Sequence, residues 1–320
     1  MTVSFRVGHV WSIPMTTRFR GITVREGVLL ETDSGWGEFS PFVEYDDSIA
    51  APWLACALEA ARGDWPAAVR SSVPVNVTVP AVGPEATHRH VLASSGCRTA
   101  KVKVADPGET LADAEARLEA VRDALGPDGR IRIDVNGLWS VDEALAGIPV
   151  LDRAAGGLEY VEQPCMAVED LAAVRRRVDV PIAADESIRR AADPYRVREL
   201  EAADVAVLKV QPLGGVQACL RIAEDIGLPV VVSSALESSV GIAAGVALAA
   251  ALPELPYACG LATGQLLTDD LVAEPLRVVD GALPVVSVRV TPGSLSHSQA
   301  DPDRVAWWTD RVRRVSELLD

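Results

Sequence analysis

The chain has 320 residues, 49% of them hydrophobic, and 45 acidic against 30 basic side chains give it a formal net charge of −15. That length buries a large core in one or two domains. So acidic a surface excludes nucleic acid and anionic membranes as general partners, and an anionic substrate must find a local basic pocket. No apolar run is long enough to span a bilayer, and Met1–Phe19 lacks the layout of a secretory signal.

In chain order, residues 1–50 predict a small antiparallel sheet. Alternating runs at Val3–Val10, Phe19–Val24, Gly27–Thr32 and Gly35–Glu38 are divided by turn signals at Arg25-Glu26-Gly27 and Asp33-Ser34-Gly35. Ile13–Arg18, with Arg20 just beyond, reads as a polar, basic loop of the kind that carries function. Ser48–Val69 has helical spacing, with Trp53, Leu54, Leu58 and Trp65 toward the core.

From Val73 to about residue 262, strand-like and helix-like segments alternate. The strands are Val73–Val79, Cys97–Ala105, Arg130–Val135, Leu158–Val161, Ile182–Ala184, Val205–Val210, Val230–Ser233 and Tyr257–Leu261. Between them the helical patterns are Glu109–Leu125, Val141–Arg153, Val168–Val178, Tyr195–Glu201, Val216–Ile226 and Val240–Ala251. Eight short, Val- and Ile-rich strands alternating with helices predict a parallel (β/α)8-type barrel, a doubly wound sheet being the other arrangement. Residues 263–320 depart from the repeat, with strand-like runs at Leu276–Val279 and Leu283–Val290 and a final helix from about Asp303 to Leu319. The expected organisation is an α+β capping domain from residues 1–72 and 263–320 around a barrel of residues 73–262.

Five cysteines, odd in number and without a CxxC pair, read as reduced core thiols of a cytoplasmic protein. His88 and His90 fall in a polar loop or helix start, a poor setting for a metal.

The chemistry lies at the strand ends. In Ala100–Ala105, Lys101 and Lys103 project from one face. That face is either the wet side of an edge strand or a barrel lumen, where two like charges need anions or a reaction to justify them. The following strand ends carry Asp134 and Asn136, then Glu162, then Asp185 and Glu186, then Lys209. From Lys103 to Lys209 the successive charges lie 23 to 31 positions apart, one βα unit each. That spacing places them side by side on the C-terminal rim, where barrels keep their active sites. Individually, such acids cap helices. Three converging at consecutive strand ends repel unless a hard cation joins them, and all-oxygen ligation suits Mg²⁺ better than zinc. Lys103 and Lys209 flank the arc, and a nearby cation and Lys101 would make Lys103 a usable base.

The order Lys101-Val102-Lys103, Asp134-Val135-Asn136, Glu162-Gln163-Pro164, Asp185-Glu186 and Lys209-Val210-Gln211-Pro212-Leu213-Gly214-Gly215 resembles the enolase superfamily, in its muconate lactonising subgroup. The resemblance implies that Asp134, Glu162 and Asp185 bind Mg²⁺, that Lys103 and Lys209 face the substrate from two sides, and that Lys101 supports Lys103 and the substrate carboxylate. Asn136 and Glu186 would support the set. No histidine stands near the end of the seventh strand, unlike the mandelate racemase branch.

Ser233–Gly241, Phe19-Arg20-Gly21 and Gly37-Glu38-Phe39-Ser40-Pro41 resemble segments of the o-succinylbenzoate synthase family. Its members are hydro-lyases of menaquinone biosynthesis that dehydrate 2-succinyl-6-hydroxy-2,4-cyclohexadiene-1-carboxylate. The implied mechanism is a syn elimination with Lys103 as base and then acid. Ser233 and Gly260 would hold the succinyl part, and Arg20 would also contact substrate, although the serines equally fit a helix-capping turn. Rival readings are an N-acylamino-acid racemase or dipeptide epimerase of the same subgroup and a metal-binding scaffold without catalysis. Ala258–Gly264 lacks the acids a dipeptide epimerase typically carries there, and a scaffold gives no reason for a lysine on each side of the acids. The expected partner is a small carboxylate, with no nucleic acid and no membrane insertion, for a monomer or small homo-oligomer.

Overall fold

The computed structural model describes residues 4–190 and 193–319, so Val3 of the first expected run and the two chain ends lie outside the described residues. Strand β1 (Arg6–Phe19) runs antiparallel to β2 (Ile22–Glu31), and β3 (Trp36–Phe39) joins the other edge of β2. Ile13–Arg18 is therefore strand, not the expected loop. Buried Ile13, Met15 and Phe19 alternate with exposed Pro14, Thr16 and Arg18, so a half-buried period of two continues under the polar composition. The chain reverses at Arg20-Gly21, both at positive φ. Arg25-Glu26-Gly27 is also strand and not a turn. A Cβ on Gly27 would come within 2.8 Å of the Trp11 indole, so this glycine serves a close approach. The Asp33–Gly35 turn is present, closed by Thr32 N–H donating to the Gly35 carbonyl at 2.9 Å.

Helix α1 (Asp47–Arg62) is N-capped by Asp46 and stopped short of Val69 by Gly63 in the left-handed region; it lies across β3. The barrel then alternates β4 (Ser72–Pro74), β5 (Val77–Val79), α2 (Pro84–Leu92), β6 (Thr99–Lys103), α3 (Leu111–Leu125), β7 (Arg130–Asp134), α4 (Val141–Ala155), β8 (Tyr160–Glu162), α5 (Val168–Arg175) and β9 (Ile182–Ala184). It continues with α6 (Glu186–Arg189), α7 (Arg196–Glu199), β10 (Val205–Lys209), α8 (Val216–Ile226), β11 (Val230–Ser233) and α9 (Ser239–Ala251). Capping boxes at Thr110 and Asp113 and at Ser140 and Glu143 start α3 and α4.

Strands β5 to β11 form one parallel sheet in sequential order. The expected eighth strand, Tyr257–Leu261, is not a regular strand. It closes the ring through two parallel bridges, Val75 with Cys259 and Ser233 with Gly260. The expected Val73–Val79 strand is divided, and β4 pairs antiparallel with β12 (Ala282–Pro284). In the tail, the expected runs Leu276–Val279 and Leu283–Val290 reduce to β12, which pairs with β4 and not with the N-terminal sheet. Beyond it, α10 (Pro302–Ser316) packs on α1 and β1, and the Ala300 N–H donates to the Val10 carbonyl at 3.0 Å.

Among the described residues three buried apolar clusters result, the smallest of them Tyr160, Ala183, Val205, Val207 and Val231 on the strands of the sheet, and the other two much larger. One of the larger two joins the barrel strands to their helices. The other is built on Trp11, Phe39, Trp53 and Trp308, and takes in Ala235 and Leu236 from the turn after β11 and Val240 from the first turn of α9. The five cysteines are buried and free. Among the described residues, no helix is long and apolar enough to cross a membrane.

Candidate active site

Adjacent parallel strands set the site. In register, Lys103 stands opposite Asp134 and Asp134 opposite Glu162. Period-two alternation turns Lys101, Lys103, Asp134 and Glu162 inward while Ile133 and Val161 pack outward against the helices. Asp185 follows the end of β9, and Lys209 ends β10. Asp134, Glu162 and Asp185 are wholly buried.

The three carboxylates form a row, and each is paired with cations of this chain. Lys101 Nζ donates to both Glu162 oxygens at 2.7 and 2.9 Å and lies 3.2 Å from Asp134. Lys103 pairs with Asp134 and donates to Asn136 Oδ1 at 2.6 Å. At the other end, Lys209 donates to Asp185 at 2.5 Å and Arg189 Nε to its second oxygen at 2.8 Å. Lys103 and Lys209 thus attach to opposite ends of the row. Among the described residues, no group of three or more His, Cys, Asp or Glu is arranged close enough to hold a metal. The acids meet ammonium and guanidinium groups instead. His90 bonds the Thr78 carbonyl at 2.9 Å and His88 lies 3.1 Å from Asp123, away from the row.

These pairings set the proton affinities. Burial works to raise Asp134, but Lys103, Lys101 and Lys209 outweigh it and hold the carboxyl well below its usual range. Asp185 is likewise held low, burial being overcome by Arg189 and Lys209. Glu162 goes the other way, pushed up to about 7 by burial and by Asp134 beside it. Lys101 is raised, Glu162 and Asp134 outweighing its burial. Lys103 is lowered, chiefly by burial and further by Lys101, against the pull of Asp134.

Of the residues expected from sequence, Arg20, Lys101, Lys103, Asp134, Asn136, Lys209, Ser233 and Gly260 line one pocket beneath the cap. Glu162, Asp185 and Glu186 lie behind it, covered by Lys101, Lys209 and Arg189. Ser233 and Gly260 touch: a Cβ on Gly260 would lie 2.5 Å from Ser233 Oγ. Asn136, at φ 52, donates its amide to Asp134 at 3.0 Å and its side chain to Glu186 at 3.2 Å, so it fixes the row from behind. Arg20 comes from the cap turn, lies over the Phe42 ring and donates to Tyr45 Oη at 2.9 Å.

Sequence reasoning missed several lining groups. Thr78 points its hydroxyl into the lumen beside Lys101, with no hydrogen-bond partner among the described residues and 5% exposure. Thr78 shares the inward register of the lysines, since Val77-Thr78-Val79 alternates in the same way. Arg189 was findable as one helical turn after Asp185. Phe19, Phe42 and Trp53 line the pocket from the cap, a placement that no local pattern announces. Gln163 holds the Asp185 turn, its Oε1 accepting from the Asp185 and Ser187 amides at 2.9 and 3.1 Å.

The chemistry of the donor set, though not its present pairing with cations of the chain, fits a hard divalent cation: three buried carboxylates at successive strand ends, with Glu186 Oε2 buried and without a partner among the described residues.

Comparison with known proteins agrees with this architecture. Residues 85–294 match the family described as Enolase C-terminal domain-like, and residues 10–61 the one described as Enolase N-terminal domain-like. The o-succinylbenzoate synthase of Thermobifida fusca (strain YX) is 65% identical over 300 residues, covering 94% of this chain and 93% of that protein. The one from Mycolicibacterium smegmatis is 56% identical over 311 residues, covering 97% and 95%. The solved structure of the muconate lactonizing enzyme from Pseudomonas fluorescens superposes with a TM-score of 0.76 at 23% identity, covering 96% of this chain and 98% of that one, and so shares the fold. With that identity sustained over nearly the whole of both sequences, the chain belongs to the o-succinylbenzoate synthase family of the enolase superfamily.

Proposed function

We propose that the protein dehydrates 2-succinyl-6-hydroxy-2,4-cyclohexadiene-1-carboxylate to o-succinylbenzoate. The observation that carries this reading is the carboxylate row with Lys103 at one end and Lys209 at the other. The identity to o-succinylbenzoate synthases supports it. In this reading Asp134, Glu162 and Asp185 hold Mg²⁺, which supplies positive charge where a substrate carboxylate becomes more negative. Asn136 and Glu186 keep those ligands in place.

Lys103, as the free amine, removes the proton α to the ring carboxylate, and the C–H electron pair moves onto that carboxylate. Burial and Lys101 both favour the neutral amine at Lys103. The same nitrogen then returns its proton to the departing hydroxyl on the same ring face. The C–O bond breaks, water leaves and the ring becomes aromatic. Lys209, as the ammonium, stabilises the enediolate from the other face. Lys101 supports Lys103 and the ring carboxylate, while Ser233, Gly260 and Arg20 contact the succinyl arm. The cap, residues 1–72 and 263–320, excludes water from the barrel mouth (residues 73–262) with Phe19, Phe42 and Trp53.

One assay tests the reading. The purified protein is given the cyclohexadiene carboxylate, followed by ultraviolet absorbance, beside a panel of N-succinylamino acids followed by loss of optical rotation. Dehydration that ceases with EDTA and returns with Mg²⁺ is the expected result. No turnover of the diene with Mg²⁺ present, alongside efficient racemisation, would replace the lyase reading with the racemase one.

A further inference from the structure

Two carboxylates of the N-terminal segment end on backbone N–H groups of the barrel. Glu38 of β3 accepts from the Ser238 hydroxyl at 2.5 Å, the Ser238 amide at 3.2 Å and the Gly241 amide at 3.0 Å, at the start of α9. Glu59 of α1 accepts from the Val216 amide at 2.6 Å and the Gln217 amide at 3.4 Å, at the start of α8. The first N–H groups of a helix have no partner within it and carry partial positive charge, so a carboxylate there is favourable. For α8 the need is acute, because its own N-cap residue, Gly215, has no side chain to offer. That glycine sits at φ 122, and a Cβ on it would lie 2.4 Å from Glu59 Oε2. The Pro212-Leu213-Gly214-Gly215 turn is therefore shaped around a carboxylate from another part of the chain.

The grip extends beyond the two acids. The Ser40 hydroxyl donates to Glu38 at 2.7 Å. Arg25 of β2 donates to the Leu236 and Ala235 carbonyls at 3.1 and 3.2 Å. Both carboxylates hold turns that carry pocket residues. The turn before α8 begins at Lys209. The turn before α9 begins at Ser233, and its Ser234, Ala235 and Leu236 form one wall of the pocket.

We infer that Glu38 and Glu59 are positioning residues, helix caps supplied across the two larger clusters that hold Lys209 and the Ser233–Leu236 wall in register with the carboxylate row. This rests on the reading of that pocket as the catalytic one. Because each carboxylate holds a different turn, the two affect different kinetic constants. Lys209 acts on charge that develops during reaction, so Glu59→Gln lowers kcat and leaves KM nearly unchanged. The Ser233–Leu236 wall meets bound substrate, so Glu38→Gln raises KM and leaves kcat nearly unchanged. Each change is about ten- to a hundredfold, the scale of a small misplacement at a reacting centre.

The test measures kcat and KM of both variants at pH 8 and, on the same proteins without substrate, amide hydrogen exchange. Expected are faster exchange at Val216 and Gln217 in Glu59→Gln, faster exchange at Ser238 and Gly241 in Glu38→Gln, and the kinetic split above. Unchanged exchange at those amides overturns the inference. So does local acceleration with wild-type kinetics, or equal losses in both constants for both variants, as general loosening gives. If Glu38→Gln does not fold, Ser238→Ala removes the same hydroxyl contact from the barrel side and must raise KM. If Glu59→Gln does not fold, Glu59→Asp must recover most of wild-type kcat. A wild-type protein inert toward the diene removes the proposed reaction, and the exchange measurement still decides the caps.

Discussion

Replacing Lys103 separates the chemistry from the fold. Its ammonium pairs with Asp134 and Asn136 and lies 5.6 Å from the Phe19 ring centroid. In Lys103→Ala, Asp134 keeps Lys101 at 3.2 Å and the Asn136 amide at 3.0 Å, so it is not left as an unpaired buried charge. The stability loss is then that of a charged hydrogen bond, about 1–3 kcal/mol, a shift of a few degrees in Tm. The rate loss is far larger. A positioned acid or base contributes about 10²–10⁴-fold, and in the proposed mechanism this one nitrogen serves first as base and then as acid. Turnover should fall by about 10⁴-fold or more. Lys209→Ala, which removes electrostatic stabilisation without removing the base, should lose only about 10²–10³-fold in dehydration. It should still abolish racemisation of N-succinylamino acids, which needs an amine on each face. Single-turnover absorbance traces, with circular dichroism to confirm folding, measure both. A folded Lys103→Ala that dehydrates the diene within tenfold of wild type refutes the assignment of the base. Equal losses in the two variants refute the asymmetry between them.

Three further outcomes follow from the site and the groups that hold it. Thr78→Val keeps the shape of a side chain whose hydroxyl has no partner among the described residues, so Tm should hold or rise; a rise in KM in steady-state kinetics would show that the hydroxyl serves the ligand, and an unchanged KM that it does not. Gly260→Ala drives a methyl against Ser233 Oγ and should raise KM severalfold at nearly unchanged Tm, which an unaltered KM contradicts. Glu38 is pushed up from 4.5 to about 7 by burial, against hydrogen bonds from Ser238 and Ser40 and with Glu237 adding to the rise and Arg25 opposing it. A raised folded-state value means that its contribution is fully present below pH 4.5 and is lost as pH rises through about 7. Stability should therefore fall over that window by at most about 3 kcal/mol from this group, and urea unfolding of Glu38→Gln should lack that slope. Parallel pH profiles for the two proteins would refute the shift.

What the sequence made legible was local. The βα repeat, the lysine pair and the acids at successive strand ends each follow from short-range periodicity, and parallel register converts them into neighbours. The misses share a cause. Ile13–Arg18 looked like a loop because its residues are polar, but burial of Ile13, Met15 and Phe19 on one side decides for strand. Tyr257–Leu261 looked like an eighth strand, yet Cys259 and Gly260 make only bridges, because each neighbour offers a single partner at the seam. Thr78 hid in an unremarkable apolar run. Glu38 and Glu59 were invisible as helix caps, since the amides they meet lie more than 150 positions away. Contacts across such distances leave no trace in spacing, only in motifs such as Gly214-Gly215, whose reason is a carboxylate elsewhere in the chain.

The charge balance of the row ties the site to its ligand. With Lys103 protonated, as in its pairing with Asp134 before it serves as a base, Asp134, Glu162, Asp185 and Glu186 face Lys101, Lys103, Lys209 and Arg189, four of each sign within one buried cluster. Such a set is near neutrality by itself, which is why so many charges tolerate burial together. A dication alone would leave it two charges in excess, and a dianion alone two in deficit, each costly in a medium that screens poorly. Together they restore the balance. A ligand with two carboxylates is the kind of dianion this balance admits alongside a divalent cation, and Arg20 adds a further cation to the pocket lining. The overall charge of −15 offers such a ligand no long-range attraction, so its selection falls to these few side chains.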